Sequence, residues 1–186
     1  MRYSVTTEPA NEPITLTEAK NHLKVDYSTD DDLITSLIKA ARHEAERYGI
    51  AIVDQTITGN MDSFPIDGVI ELPVCPVKSV TSVKYYDTDN VQQTLNSANY
   101  TLDNRSKLQR ARIVLNQGES WPSTYSNANA IEVIFVAGFE TTSAEYEAAR
   151  TGIKLVLTSW YENRSDTVRK LPTASEYIFK GLAVYG

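Results

Sequence analysis

The chain has 186 residues, 41% of them apolar, a net charge of -6 and a pI near 5.0. That size suits one domain with its own core, and the acidic balance excludes a surface that grips nucleic acid over its whole extent, because phosphate contacts need clustered cations. The single cysteine, Cys75, excludes an internal disulfide and reads as a small buried hydrophobe. No apolar run approaches the roughly 18 residues that span a bilayer, and no basic segment followed by an apolar one opens the chain, so neither membrane insertion nor a standard secretion signal is expected.

Residues 1–12 carry few apolar positions and are expected to form a flexible arm. A helical region follows over 13–49. Thr15-Leu16-Thr17-Glu18 has the spacing of a capping box, and Leu16, Ala19 and Leu23 share one face of the short helix it starts. After a break from Asp26 to Thr29, Asp30, Asp31 and Asp32 crowd the first turn of a longer helix, where negative charge is favoured by the helix dipole. Leu33, Ile34, Leu37, Ile38, Ala41, Ala45 and Tyr48 supply its expected buried face, and Gly49 suits the position past its end.

Over 50–139 the pattern changes to short β-type runs: Ile52 to Thr58, Val69 to Leu72, Ser79 to Tyr86, Val91 to Leu95, Tyr100 to Asp103, Ala111 to Leu115 and Ile131 to Phe139. Asp87-Thr88-Asp89-Asn90 reads as a hairpin turn, because short Asp and Asn side chains tolerate left-handed backbone angles. Helical periodicity returns over 142–162, with Thr142 and Glu145 at cap spacing and a stripe of Ala149, Ile153, Val156, Leu157 and Trp160. Within the segment 163–186, Thr173 to Glu176 repeats the cap signal ahead of a short terminal helix. The expected fold class is α+β: a helical layer from the N- and C-terminal helices packed with a central, mostly antiparallel sheet, in one domain over 1–186.

No catalytic residue is nominated and no cofactor or metal is expected. Counting a calcium loop from Asp26 puts Leu37 where a bidentate Glu is needed, so the acidic cluster reads as a helix start. His22 and His43 lie on helices without zinc-ligand spacing. No serine sits in a nucleophile elbow, and no Gly-rich phosphate loop is present. Arg105, Lys107, Arg110 and Arg112 fall between two strand runs. They read as a solvated hairpin loop, with contact to phosphates or an acidic protein surface as the alternative. Tyr85, Tyr86, Tyr100, Trp121, Tyr125 and Phe139 read as core or turn packing rather than a base-stacking platform.

A series of segments resembles the head-tail connector (adaptor) family of tailed bacteriophages. Pro13 to Asp26, Asp31 to Ile34 and Leu37 to Arg42 are similar to that family's paired opening helices. Leu72-Pro73, Ser79 to Val83, Ser120-Trp121-Pro122, Val136 to Phe139 and Trp160 to Arg164 are similar to its later segments, in the same order. The resemblance implies a structural, non-enzymatic virion subunit that docks under the portal protein and extends the DNA channel toward the tail. It implies as partners the portal, a downstream tail or stopper protein, copies of itself in a homo-oligomeric ring, and genomic DNA in transit, with no membrane. Its place would be the head-tail interface of the virion, after assembly in the host cytoplasm. The competing reading is a small nucleic-acid-binding module using the stretch from Arg105 to Arg112.

The core is expected to be complete once the Trp160 helix is packed, which leaves the terminal segment for a partner. Tyr177, Ile178, Phe179, Leu182 and Tyr185 form an apolar set larger than a solvated tail needs, and amphipathic helices of this kind bind by laying that face in a groove. These five are the expected portal contacts, with packing against the chain's own core as the equal alternative.

Overall fold

A computed structural model describes residues 1–105, 109–163 and 173–183. The chain divides into two compact units, a β unit holding Met1–Glu8 and Asp54–Gly138, and a helical unit holding Pro9–Val53 and Phe139–Ala183. Helices and antiparallel strands are thus segregated along the chain, and the fold class is α+β.

Among the described residues the β unit contains eight strands: β1 (Arg2–Thr7), β2 (Gln55–Met61), β3 (Val69–Glu71), β4 (Val77–Tyr86), β5 (Gln92–Thr94), β6 (Tyr100–Asp103), β7 (Arg112–Leu115) and β8 (Ile131–Ala137). Five of them form one sheet in the order β1-β2-β8-β4-β5, and three form a second in the order β3-β7-β6. Every pairing is antiparallel. β8 is the central strand of the larger sheet. Its Ile131, Val133, Phe135 and Ala137 are buried while the residues between them are not, the period of two that a pleated strand imposes. Phe135 faces Ile57 on β2 and Val80 on β4, and Val133 faces Val83, so one face of the sheet is apolar across its three middle strands. Ile113 joins Ile70 and Leu102 in the same way across the smaller sheet.

The opening arm expected from composition is instead the edge strand β1, which pairs with β2 from Arg2 opposite Asn60 to Thr7 opposite Thr56. All six of its residues are exposed, so it carries no buried alternation by which a sequence reading could find it. Strand boundaries also differ: β2 begins at Gln55, and Ile52 belongs to the helical unit.

The helical unit contains α1 (Leu16–Leu23), α2 (Asp31–Glu46), α3 (Ala144–Glu162) and α4 (Thr173–Leu182). The capping box at Thr15 is present: its hydroxyl accepts from the Glu18 N–H at 3.2 Å, and the Glu18 carboxylate accepts from the Thr15 N–H at 2.9 Å. α2 buries Ile34, Ile38, Ala41 and Ala45, whereas Leu33, Leu37 and Tyr48 are only half-buried. The start of α3 is corrected by one residue, since the cap is Ser143, whose hydroxyl accepts from the Tyr146 N–H. α3 buries Tyr146, Ala149, Gly152, Ile153, Val156 and Leu157, and leaves Trp160 half-buried. Arg150 on α3 ties three places together by donating to the Pro13 carbonyl at 2.8 Å, to Glu147 at 2.8 Å and to the capping carboxylate of Glu18.

Candidate functional site

The acidic run before α2 is a helix start tied into the helical unit. Asp31 pairs with Lys20 of α1 at 2.6 Å, and Asp30 accepts from the Tyr161 hydroxyl near the end of α3 at 2.6 Å. That hydrogen bond, with a second one to Tyr27, pushes the Tyr161 hydroxyl pKa well above its usual value. Among the described residues, no group of three or more His, Cys, Asp or Glu side chains could hold a metal ion. His22 and His43 are exposed. Cys75 is buried, which pushes its thiol up to about 11 and removes the thiolate that reactivity requires. No helix among the described residues is long and apolar enough to cross a membrane.

Arg105, Arg110 and Arg112 lie after β6 and at the start of β7, at one end of the β unit. Asn104, just after β6, donates to the Val77 carbonyl, where β4 begins, and β4 begins opposite the last residue of β8, Ala137. The arginines are paired within the hairpin and its neighbour. Asp103 lies directly opposite Arg112 in the ladder and accepts from it at 2.7 Å and from Arg105 at 3.0 Å. These two bonds hold the Asp103 carboxyl below the usual carboxylate range. Arg110 approaches Glu71 at 4.0 Å. Lys107 lies outside the described residues. The arginine charge is therefore largely balanced on the spot, which weakens a phosphate-binding surface here.

α4 carries the expected portal contacts, and the structure divides them. Phe179 is fully buried and Leu182 nearly so, and the Phe179 ring lies on α3 and stands 5.9 Å from the Tyr48 ring. Those two side chains stabilise the helical unit and are not available to a partner while α4 holds this position. Ile178 is half-buried, Tyr177 is 81% exposed, and Tyr185 lies outside the described residues. The seat of this stripe carries no local signal, because the residue that receives Phe179, Gly152, is far away in sequence and has no side chain of its own.

The opposite end of the β unit gathers aromatic residues that sequence reasoning assigned to packing. There Ile131 faces Met61, the last residue of β2, and Tyr85 near the end of β4, roughly 25 Å along the strand from Val77. Phe64, in the loop after β2, stacks on Trp121 with ring centroids 4.6 Å apart and planes 1° from parallel, and meets Tyr85 edge-on at 6.0 Å. The Asp87–Asn90 turn forms as expected: the Asp87 N–H donates to the Val91 carbonyl, its carboxylate accepts from the Asp89 and Val91 N–H groups, and Asn90 takes a φ of 61°. Tyr125 is held beside this turn by its N–H donating to the Tyr86 carbonyl at 3.0 Å. Phe139, by contrast, is fully buried in the helical unit.

The profile of the family described as Phage gp6-like head-tail connector protein matches residues 13–109, more than half of the chain, and the chain belongs to that family. Membership assigns it a structural connector role in a phage-type virion. Solved structures share the fold at 19% identity, each covering 100% of this chain and 97% of the other. They are the neck of an empty gene transfer agent particle computed with C6 symmetry (TM-score 0.82), the virion of the native particle (0.80) and the native neck computed with C12 symmetry (0.79). No curated protein matches the sequence.

Proposed function

We propose that the chain is one subunit of a ring at the junction of head and tail, docked beneath the portal, extending the DNA channel and offering a surface to the next tail or stopper component. The observation that carries this reading is the family match to head-tail connectors, together with a fold shared end to end with chains of particle necks. Those necks were computed with cyclic symmetry. A cyclic ring requires two different complementary faces on each subunit, because a head-to-tail contact closes only when the rotation divides a full turn. The virion is then the working location, with the host cytoplasm as the place of assembly, and DNA passes the ring without being read by it. Pairing of Arg105, Arg110 and Arg112 with Asp103 and Glu71 favours the connector over a nucleic-acid-binding module.

The test is reconstitution: purified chain added to DNA-filled heads that carry the portal but lack this protein. The expected result is stable attachment of a ring at the portal vertex, seen by electron microscopy. Attachment to free duplex DNA that weakens steeply with salt, with none to heads, would favour the nucleic-acid module instead.

A further inference from the structure

The two ends of the five-stranded sheet are both unpaired, and they are not alike. Among the described residues the backbone of β1 bonds only to β2, so its outer row of N–H and C=O groups has no partner. The strand pairs in regular register from Arg2 to Val5, and it holds no proline, lysine or acidic residue of the kind that blunts an edge against strand addition. At the other end only β5 is open. The stretch of β4 beyond it is broken by two register shifts, and the Asn104 amide covers the Val77 carbonyl. Around β5, the Leu95 N–H donates inward to Val83 and the Val91 carbonyl accepts inward from Asp87. Bonding direction alternates along a strand, so Gln92 and Thr94 turn their backbone groups outward.

β1 also carries apolar surface that the chain leaves open. Directly opposite residues share a face of a sheet. Val5 therefore continues the row of Ile57, Phe135 and Val80, and Tyr3 the row of Gly59, Val133 and Val83. Ile57, Phe135, Val133 and Val83 are fully buried, whereas Tyr3 is 48% exposed and Val5 39%. Met1 stands two residues before Tyr3 and thus on the same face; it is 39% exposed and lies over Gly59. The three side chains form one strip along β1, adjoining the core face but outside its cover.

We propose that β1 adds edge-on to β5 of a second copy of this chain, so that the sheet runs on from one subunit of the ring into the next. This rests on the connector reading. A cyclic ring needs two different complementary faces on every copy, and one sheet with two unlike open edges supplies both. Four antiparallel steps separate β1 from β5, so the two strands run in the same direction and the joint is a parallel pair. Backbone bonds make the attachment, as in other cases of strand addition. The side chains agree with it. Gln93 of β5 stands in the row of Tyr85 and Ile131, on the same sheet face as Tyr3. Val91, two residues before Gln93 and 53% exposed, brings an apolar side chain of the adjacent copy to the Met1, Tyr3 and Val5 strip.

The experiment assembles full-length chain on portal-bearing heads that lack this protein and then adds a bismaleimide. Ser4→Cys and Thr94→Cys put one thiol on each edge and on a common face, since Ser4 stands in the row of Thr58 and Ile134, and Thr94 in that of Lys84 and Glu132. Cys75 is buried and does not compete. Rings built from a mixture of the two variants should yield linked pairs holding one of each, and rings of either variant alone should yield no more than wild type. Tyr3→Lys/Val5→Lys changes exposed side chains only, so it should melt like wild type yet form rings with about tenfold lower affinity or worse. Tyr3→Phe should form rings as wild type does. Rings that link Ser4→Cys only to itself, link it only to the portal, or give no linked chains overturn the joint and leave the connector reading intact. So does a Tyr3→Lys/Val5→Lys chain that melts and forms rings as wild type does. A wild-type chain that forms no ring on the heads overturns the connector reading, and the joint with it.

Discussion

Gly152 on α3 and Phe179 on α4 are in direct contact: a Cβ built on Gly152 would lie 2.5 Å from Cε1 of the Phe179 ring and 2.9 Å from Cζ. The missing side chain is the seat for the ring. At an ordinary helix position Gly→Ala gains about 1 kcal/mol; here the overlap with a fully buried ring reverses the sign. Gly152→Ala is expected to destabilise by about 1–3 kcal/mol and Phe179→Ala by about 3–5 kcal/mol, measured by urea unfolding. Gly152→Ala combined with Phe179→Leu should cost less than the two single changes together, because the smaller side chain relieves the overlap. Deleting residues 171–186 should accordingly lower the melting temperature sharply, contrary to a terminal segment that the core does not need. A truncated chain as stable as the full one would show that α4 packs elsewhere.

On α2 the buried stripe passes through Ile38 rather than Leu37. Ile38→Ala is expected to cost about 2–5 kcal/mol, and Leu37→Ala clearly less, because the Leu37 side chain already meets solvent. The order of the two denaturation midpoints checks the assignment of the face.

Arg42 is buried and shared between two carboxylates, Glu12 at 2.8 Å and Glu46 at 2.7 Å. Removing the cation strands two carboxylates in a partly dry site, so Arg42→Ala should destabilise by about 3–5 kcal/mol. A companion Arg42→Ala/Glu46→Ala variant should recover part of that loss. With Glu46→Ala measured as the remaining corner of the cycle, additive effects of the two substitutions would mean that the pair carries no coupling.

Glu18 has its carboxyl held below the ordinary carboxylate range, first by the Thr15 backbone N–H and further by Arg150, against the opposing effect of desolvation. A depressed acid contributes stability that is present above its unfolded value and is lost as pH falls through the lower folded value. Wild-type stability should therefore fall more than that of Glu18→Gln as pH drops through and below the usual carboxylate range. Parallel pH profiles of the two melting temperatures would contradict this.

Local signals were legible in the sequence and long-range seats were not. The capping box needs only Thr15 and Glu18, three residues apart, and the Asp87–Asn90 turn needs only its own side chains. β8 announces itself by Ile131, Val133, Phe135 and Ala137 in alternation, since both its neighbours are present and one face is buried. β1 did not, because an edge strand exposed on both faces carries no such pattern. Phe179 looked available because its seat is a glycine 27 positions earlier. The arginines after β6 looked free because their balance depends on cross-strand register, which places Arg112 opposite Asp103.

The most direct test of the connector assignment is electron cryo-microscopy of particles assembled with this chain, at a resolution that distinguishes its sheets and helices. The account predicts a closed ring of this fold at the neck, between the head's portal vertex and the tail, with the channel running through it. Finding the fold only elsewhere in the particle, or finding complete necks in particles that lack the chain, would contradict it.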